Sequence, residues 1–192
     1  FFKGIGEFGM YKGSLKGIGP DDPEFMAIYK IAAEHHLVVM IHPDLGQQQI
    51  IEKILGAYPT VKFLFHGDEI DPYITTLMGI YPNVYYSIDT QLVNAIPHIA
   101  NLYGADSKEQ YLTELADNKD KILSTSVQKW KPRIEQFPDR FVWGTDRAFT
   151  WHFNPEVTTA IDEVSRKFIA QLDPSVQEKY AYKNAERLVA ER

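Results

Sequence analysis

The sequence predicts an α/β protein with a parallel sheet, and two observations support this prediction. Short runs rich in β-branched and aromatic residues alternate with amphipathic segments of helical period along the whole chain, which is the order of a parallel sheet with crossover helices. The short runs are almost continuously apolar, as expected of parallel strands buried on both faces. Five such strands suit an open doubly wound sheet or part of a (β/α)8 barrel, and the pattern leaves both open.

Five segments carry the strand pattern. They are Phe2–Glu7, Leu37–His42, Lys62–His66, Val84–Ile88 and Phe141–Thr145. Residues 4–9 also spell G-x-G-x-x-G, the fingerprint of a dinucleotide-binding loop. The glycines of that fingerprint normally lie in the turn after the strand, whereas here most lie inside it, and Glu7 would point a carboxylate at the pyrophosphate. A dinucleotide site is therefore not predicted.

The helices are predicted from their start signals and their apolar faces. An Asp or Asn before a proline places an N-cap acceptor ahead of a proline at the first helical position. This pair occurs at Asp22-Pro23, Asp71-Pro72, Asn154-Pro155 and Asp173-Pro174. Apolar residues at helical spacing mark two faces, Phe25, Ile28, Tyr29 and Ala32, and Ile50, Ile51, Ile54, Leu55 and Tyr58. Ser107 and Gln110 have the spacing of a capping box, the region from about Ala95 to Phe137 is predicted mostly helical, and residues 174–190 form one last helix.

Composition and charge narrow the function classes. The chain has 192 residues and a formal net charge of −6, from 20 Lys and Arg against 26 Asp and Glu. An acidic surface repels phosphate, so neither nucleic acid nor an anionic membrane is an expected partner. With no cysteine, disulfides and thiolate metal sites are excluded. No repeat or flexible linker interrupts the sequence, which predicts one domain over residues 1–192.

A residue able to ligate a metal or transfer a proton closes each predicted strand. These residues are Glu7, His42, His66, Asp89 and Asp146. The carboxyl ends of parallel strands meet at one end of a barrel or open sheet, where active sites are built, so we expect these side chains to converge. Each residue alone also has a structural explanation, and for Asp89 we favour capping a helix that begins at Thr90. The set of His42, His66 and Asp146 is what indicates a functional site.

A divalent cation would offset the free-energy cost of burying these side chains together. Burying a carboxylate and two imidazoles without compensation costs several kcal/mol. Nitrogen and oxygen ligands suit Zn²⁺, Mn²⁺ or Fe²⁺, and zinc is the cation we favour. A bound Zn²⁺ lowers the pKa of its water from about 15.7 to about 7.

Six short motifs occur in the order found in a known family. They are Gly6-Glu7-Phe8-Gly9, Met40-Ile41-His42-Pro43, Phe65-His66-Gly67, Tyr81-Pro82-Asn83-Val84-Tyr85, Trp143-Gly144-Thr145-Asp146-Arg147 and Asn184-Ala185-Glu186-Arg187-Leu188. In this order and spacing, the chain resembles the amidohydrolase-related branch of the amidohydrolase superfamily, whose members are metal-dependent (β/α)8 enzymes. The resemblance spans nearly the whole chain and implies a partial TIM barrel, strands four to eight with their helices, as the C-terminal portion of the barrel domain.

The resemblance also implies a role for each candidate residue. His42, at the end of barrel strand five, matches a metal-ligand histidine. Asp146, at the end of strand eight, matches the carboxylate that binds the metal and handles a proton of the bound water. His66 matches a histidine that ligates a second metal or acts as an acid, base or substrate contact, and Glu69 resembles a glutamate that orients that histidine in decarboxylating members. Glu7 occupies the variable strand-four position, where it ligates or bridges a metal or does neither.

One family motif is not found on any predicted strand. The first strand of the family carries a His-x-His or Glu-x-His pair, and here the neighbouring His35 and His36 follow a helix instead. The resemblance therefore implies that three βα units, roughly 90 residues at the usual barrel size of about 250, lie outside this sequence.

The function expected from these observations is that of a metal-dependent hydrolase acting on a small amide, ester or lactone. Asp146 would move the proton of the attacking water, and His66 would stabilise the developing oxyanion. Two alternatives stay open: a nonoxidative decarboxylase or hydratase, with His66 and Glu69 as proton relay, or a catalytically silent barrel domain. The expected partner is a small-molecule substrate, with a homo-oligomer left open. A cytoplasmic location is favoured, and an exported form stays open if a signal precedes residue 1.

Overall fold

The computed structural model describes residues 2–10, 15, 17–88, 105, 107–147 and 149–190. The strands in this part of the chain are β1 (Gly4–Gly9), β2 (Val38–His42), β3 (Lys62–Phe65), β4 (Val84–Ile88) and β5 (Phe141–Trp143). The α-helices are α1 (Pro23–His35), α2 (Gln48–Ala57), α3 (Ile74–Ile80), α4 (Lys108–Gln136), α5 (Pro155–Ile169), α6 (Pro174–Glu178) and α7 (Asn184–Ala190).

The five strands form one sheet in the order β1-β2-β3-β4-β5. The pairs β1–β2, β2–β3 and β3–β4 are parallel, so each helix-containing connection between them returns the chain to the same end of the sheet. Every residue of β4 is buried, and the side chains of Val39, Ile41, Phe63 and Phe65 in β2 and β3 have no exposed surface. The predicted α/β fold with a parallel sheet is therefore confirmed. Burial on both faces is complete in β4, whereas β1 has no buried residue and buried residues alternate with half-buried ones in β3.

The strands differ from their predicted bounds at the ends that matter for the site. β3 ends at Phe65 and β5 at Trp143, so His66 and Asp146 lie in the loops that follow these strands. β1 extends to Gly9, which places Glu7 inside the strand. An apolar pattern locates a buried segment, but it does not mark where the ladder of backbone hydrogen bonds stops.

Most of the predicted helix caps are present. The side chains of Asp22, Asn154, Asp173 and Ser107 accept the backbone N–H of Glu24, Glu156, Ser175 and Gln110, respectively. The cap predicted at Asp71 is wrong: Ile70 already has helical dihedral angles, and Asp71 lies inside a 3₁₀ turn, Asp71–Tyr73, ahead of α3. A polar residue can cap only where the preceding backbone is still non-helical.

Two helical predictions are modified by the structure. The last predicted helix is divided into α6 and α7 by a π-helical turn, Lys179–Lys183. The helical prediction between about Ala95 and Phe137 holds from Lys108 onward as α4. The predicted cap at Asp89 lies outside the described residues. No described helix combines the length and apolarity needed to cross a membrane.

The chain forms two compact units. The first comprises Phe1–Ser87, Asp139–Val142 and Tyr182–Arg192, and the second comprises Ile88–Pro138 and Trp143–Ala181. The first unit contains most of the sheet with α1, α2, α3 and α7, and the second contains α4, α5 and α6. The organisation of residues 1–192 as one domain stays a prediction.

Candidate metal site

Glu7 in β1, His42 at the end of β2 and His66 directly after β3 come together. One donor atom from each residue lies within 4.8 Å of the other two. Glu7 Oε1 is 2.9 Å from His66 Nε2 and 3.6 Å from His42 Nδ1. The two imidazole rings meet edge to face, with their centroids 4.4 Å apart. Three of the residues predicted from the sequence thus form one group in the first unit.

An irregular stretch of β1 directs Glu7 into this group. The register between β1 and β2 shifts between Ile5 and Phe8, and an extra residue in a strand changes where the neighbouring side chains point. Gly6, inside β1, has φ +125°, and a Cβ on Gly6 would overlap the carbonyl oxygen of Met40 in β2. The glycine before Glu7 therefore lets the two strands approach at this point.

His42 and His66 are held by the backbone around them. The carbonyl oxygen of His42 accepts the N–H of Met10 at 2.8 Å, and the N–H of His66 donates to the carbonyl oxygen of Ile41 at 3.4 Å. The His66 side chain is 2% exposed. These contacts fix the backbone of both residues where β2 and β3 end, and the ring of His66 is almost wholly out of water.

The loop of residues 66–69 lies against the ring of His42. Gly67 has φ +100°, and a Cβ at this position would overlap the imidazole of His42. The hydroxyl of Tyr86, a buried residue of β4, donates to the carbonyl oxygen of Gly67 at 3.0 Å. This role of Gly67 and Tyr86 was not predicted from the sequence, although a glycine directly after His66 was a signal for a close backbone approach.

Glu69 completes the group from the end of the same loop. Its Oε2 atom is 2.9 Å from His42 Nε2. The resemblance implied that Glu69 orients His66, and in the structure its carboxylate pairs with the other histidine. The ring of His42 therefore has a carboxylate on each side, Glu7 towards Nδ1 and Glu69 towards Nε2.

The histidines keep Glu7 ionised. Hydrogen bonds with His42 and then His66 lower the pKa of Glu7 far below its ordinary value of 4.5. Burial acts in the opposite direction, and charge on the two rings adds to the lowering. At neutral pH the group thus presents a carboxylate oxygen and two imidazole nitrogens, a donor set that fits Zn²⁺, Mn²⁺ or Fe²⁺.

Asp146 lies in the second unit, in the loop that follows β5. Its φ of +43° places it in the left-handed region, which Asp and Asn adopt more readily than most residues. The next residue, Arg147, donates from Nη1 to Thr158 Oγ1 of α5 at 3.0 Å. The convergence of Asp146 with His42 and His66 stays a prediction.

The fold is that of a TIM-barrel protein. An uncharacterised TIM-barrel protein from Bordetella bronchiseptica matches the chain with a TM-score of 0.53 and 19% identity, over 90% of this chain and 52% of that one. An amidohydrolase from Burkholderia multivorans, solved with bound zinc, matches with a TM-score of 0.50 and 12% identity, over 90% of this chain and 59% of that one. The chain thus spans little more than half the length of either structure, and the prediction of a partial barrel is confirmed.

The chain belongs to the amidohydrolase family, since the sequence model of that family, described as amidohydrolase, matches residues 2–190. The family resemblance found in the sequence is therefore confirmed. No curated protein gives a significant match to the chain.

Proposed function

We propose that this chain is part of a metal-dependent hydrolase that acts on a small amide, ester or lactone. The observation that carries the proposal is the convergence of Glu7 Oε1, His42 Nδ1 and His66 Nε2 at the strand ends. Asp146 is proposed to join them as a further ligand. The zinc bound to the amidohydrolase of similar fold supports zinc as the first metal to test, with manganese and iron as the other candidates.

A bound divalent cation would supply a Lewis acid and, for zinc, a water whose pKa is lowered to about 7. The residues of the chain have the remaining tasks. Glu7, ionised at neutral pH, offers an anionic oxygen between the two imidazoles. Asp146 is proposed to accept the proton of the attacking water, and His66 to stabilise negative charge on the substrate oxygen.

The alternative reaction on this scaffold is nonoxidative decarboxylation or hydration. That chemistry was expected to use His66 and Glu69 as a proton relay. The described pairing of Glu69 with His42 at 2.9 Å gives the glutamate a different partner, and this favours hydrolysis. The grouping of donor atoms from Glu7, His42 and His66 within 4.8 Å of one another favours a metal-dependent enzyme over a catalytically silent barrel.

Metal content is the first test. The protein is purified from medium that contains zinc, manganese and iron, and bound metal is measured by mass spectrometry in wild type, His42→Ala and Asp146→Asn. Asn suits the left-handed backbone at residue 146, so that variant removes the charge and keeps the local conformation. His35→Ala is the matched control, because His35 is an exposed histidine at the end of α1.

We expect wild type and His35→Ala to retain the same metal, and both site variants to lose metal and turnover. Unchanged metal content in His42→Ala and Asp146→Asn would contradict the proposed site. The reaction class is then tested with small esters, lactones and amides against aromatic and aliphatic carboxylic acids. Release of carbon dioxide from an acid, without hydrolysis of any ester, lactone or amide, would show that the reaction is a decarboxylation and not a hydrolysis.

A further inference from the structure

The helix α7 is hydrogen-bonded to the beginning of β5. Asn184, the first residue of α7, is 1% exposed, and its Nδ2 atom donates to the carbonyl oxygen of Phe141 at 2.8 Å. Arg187 donates from Nη2 to the carbonyl oxygen of Asp139 at 2.6 Å, and from Nη1 to Oδ1 of the same residue at 3.0 Å. The chain is therefore fixed on α7 at the first residue of β5 and two residues before it.

The two side chains of α7 also support each other. Arg187 Nη2 donates to Asn184 Oδ1 at 3.4 Å, so the Asn184 amide is bonded through both its nitrogen and its oxygen. The guanidinium of Arg187 is charged at every working pH, and its nitrogens form a planar fork that can bond two acceptors at once. The contact with Asp139 therefore needs no particular pH.

The same helix packs on the strand that ends in His42. Leu188 of α7 is 4% exposed and belongs to one buried cluster with Val38, the first residue of β2, and Tyr85 of β4. All of these contacts lie in the first unit. The helix α7 thus contacts the beginnings of two strands that lead to proposed metal ligands, β2 to His42 and β5 to Asp146.

The position of β5 matters because the strand is short. It has three residues, and Asp146 follows three residues after its end. Near β5, the N–H of Tyr86 donates to the carbonyl oxygen of Arg140 at 3.0 Å, and that of Gly144 donates to the carbonyl oxygen of Ile88 at 3.4 Å. The ligands of a metal site must be held within roughly 0.5 Å of their working positions, so a shift of so short a strand would displace Asp146.

We propose that Asn184 and Arg187 are positioning residues for Asp146: they fix the start of β5 on α7 and so set where the chain presents the Asp146 carboxylate. This inference rests on the proposed function, in which Asp146 is a metal ligand. The fixing of β5 on α7 is a property of the metal-free chain and is tested without metal.

The test compares Asn184→Ala, Arg187→Ala and Arg187→Lys with wild type. Arg187→Lys is the milder variant, since lysine keeps the charge beside Asp139 but has no fork, and it carries the test if an alanine variant fails to fold. Glu186→Ala is the matched control, because Glu186 is an exposed residue of the same helix.

Two quantities are measured. The first is backbone amide hydrogen exchange in the metal-free protein, followed by NMR at Tyr86 and Gly144, which report on β5. Phe63 of β3, whose N–H donates to the carbonyl oxygen of Asn83 at 2.8 Å, reports on the rest of the sheet. The second quantity is the Kd for Zn²⁺, from competition with a chelator.

We expect exchange at Tyr86 and Gly144 to be at least about tenfold faster in Asn184→Ala and Arg187→Ala, with Phe63 unchanged, because the lost hydrogen bonds loosen β5 alone. The Kd for zinc should rise about tenfold in both variants. Both effects should be smaller in Arg187→Lys, in the same direction, and absent in Glu186→Ala.

Unchanged exchange at Tyr86 and Gly144 in every folded variant would overturn the inference. Equal acceleration at Phe63 would do the same, because Asn184 and Arg187 would then stabilise the fold in general. If wild type binds zinc and the variants loosen β5 without any change in Kd, the positioning role fails while the metal site stands. If wild type binds no zinc, the proposed metal site fails and the role for Asp146 fails with it, while exchange still decides whether α7 fixes β5.

Discussion

Two regions of the molecule, the helix pair α4–α5 and the strand-end group of Glu7, His42, His66 and Glu69, pair their carboxylates with different kinds of base. In the second unit, Glu156 and Glu163 of α5 meet Lys108 and Lys119 of α4, at 2.8 and 2.7 Å. In the first unit, the ion-pair partners of Glu7 and Glu69 are histidines. They are His42 and His66 for Glu7, and His42 for Glu69. A lysine ammonium is charged at every pH up to about 10, whereas an imidazole is charged only below about 6.5.

This difference indicates that the charges in the two regions are balanced in different ways. Between α4 and α5, the chain supplies a permanent positive charge for each of the two glutamates, so the local charge is balanced without a ligand. At the strand ends, the described ion-pair partners of Glu7 and Glu69 are imidazoles, which do not supply a permanent positive charge against the negative charge of the two carboxylates. A divalent cation would balance it, and the donor atoms are already within 4.8 Å of one another. The ion pairs between α4 and α5 therefore need no ligand to balance their charge, whereas the strand-end group has the charge and the donor atoms to bind a cation.

The largest effect on metal content and stability is expected from adding a single methyl group at Gly67. In Gly67→Ala, the new Cβ would overlap the ring of His42, and the φ of +100° would be strained for any residue with a side chain. We expect bound metal to fall to background and the free energy of unfolding to drop by more than about 1 kcal/mol. Mass spectrometry of the purified variant and urea unfolding measure the two quantities.

Gly56→Ala is the control for this prediction. Gly56 lies in α2, where a Cβ would make an ordinary contact 3.9 Å from Tyr81 Cε1. Ala is favoured over Gly inside a helix by roughly 0.5–1 kcal/mol, so this variant should be as stable as wild type or more stable, with its metal retained. Full metal content in Gly67→Ala would show that the loop of residues 66–69 does not shape the site.

An effect of intermediate size is expected on the pH dependence of the free energy of unfolding. This dependence compares the carboxylate–histidine pairs at the strand ends with the carboxylate–lysine pairs between α4 and α5. The pKa of Glu7 is lowered by hydrogen bonds with His42 and His66, and the pKa of Glu163 is lowered by its hydrogen bond with Lys119. A carboxyl whose pKa is lower in the folded than in the unfolded state stabilises the fold above its unfolded pKa of about 4.3, and that stability is lost as pH falls further.

Urea unfolding of the metal-free protein between pH 7 and pH 3 measures this difference. We expect wild type to be more stable than Glu7→Gln at pH 7 and the gap to narrow below about pH 4.3. Glu163→Gln should behave in the same direction, but with a smaller gap that 1 M salt removes, since that pair is exposed and screened. A gap for Glu7→Gln that does not narrow below about pH 4.3 would contradict the described pairing.

The sequence predicted the parts of the structure that depend on local pattern and strand order. The five strands and four of the caps, at Asp22, Ser107, Asn154 and Asp173, follow from apolar runs and from side chains that satisfy free N–H groups. The meeting of His42 with His66 follows from two parallel neighbours that end together. These features need no knowledge of loop geometry.

The features that could not be predicted depend on backbone geometry beyond the strand ends. Glu69 reaches His42 because Gly67 takes a positive φ and packs on that ring, and the spacing from His66 to Glu69 suggested the other histidine. Glu7 points into the group because the register of β1 shifts at this place, which no apolar pattern encodes. Asp71 failed as a cap because Ile70 was already helical.

The smallest effect is expected from breaking an ion pair between α4 and α5. The Lys119 side chain is 28% exposed and that of Glu163 is 56% exposed, and pairs at such positions contribute little, because solvent screens them and both side chains lose freedom. Buried apolar residues, Leu115 at 3% and Val164 at 1% exposed, are the better candidates for stabilising these helices. We therefore expect Lys119→Ala to leave the melting temperature close to that of wild type.

Lys121→Ala is the control for that last variant, because Lys121 is an exposed lysine of the same helix with no described ion pair. The difference in melting temperature between the two variants isolates the pair from the general loss of a lysine. A fall of several degrees in Lys119→Ala alone would mean that α4 and α5 depend on their charges as much as the strand ends depend on theirs. Such a result would contradict the proposed contrast between helices whose charges contribute little to stability and strand ends whose charges are proposed to bind a cation.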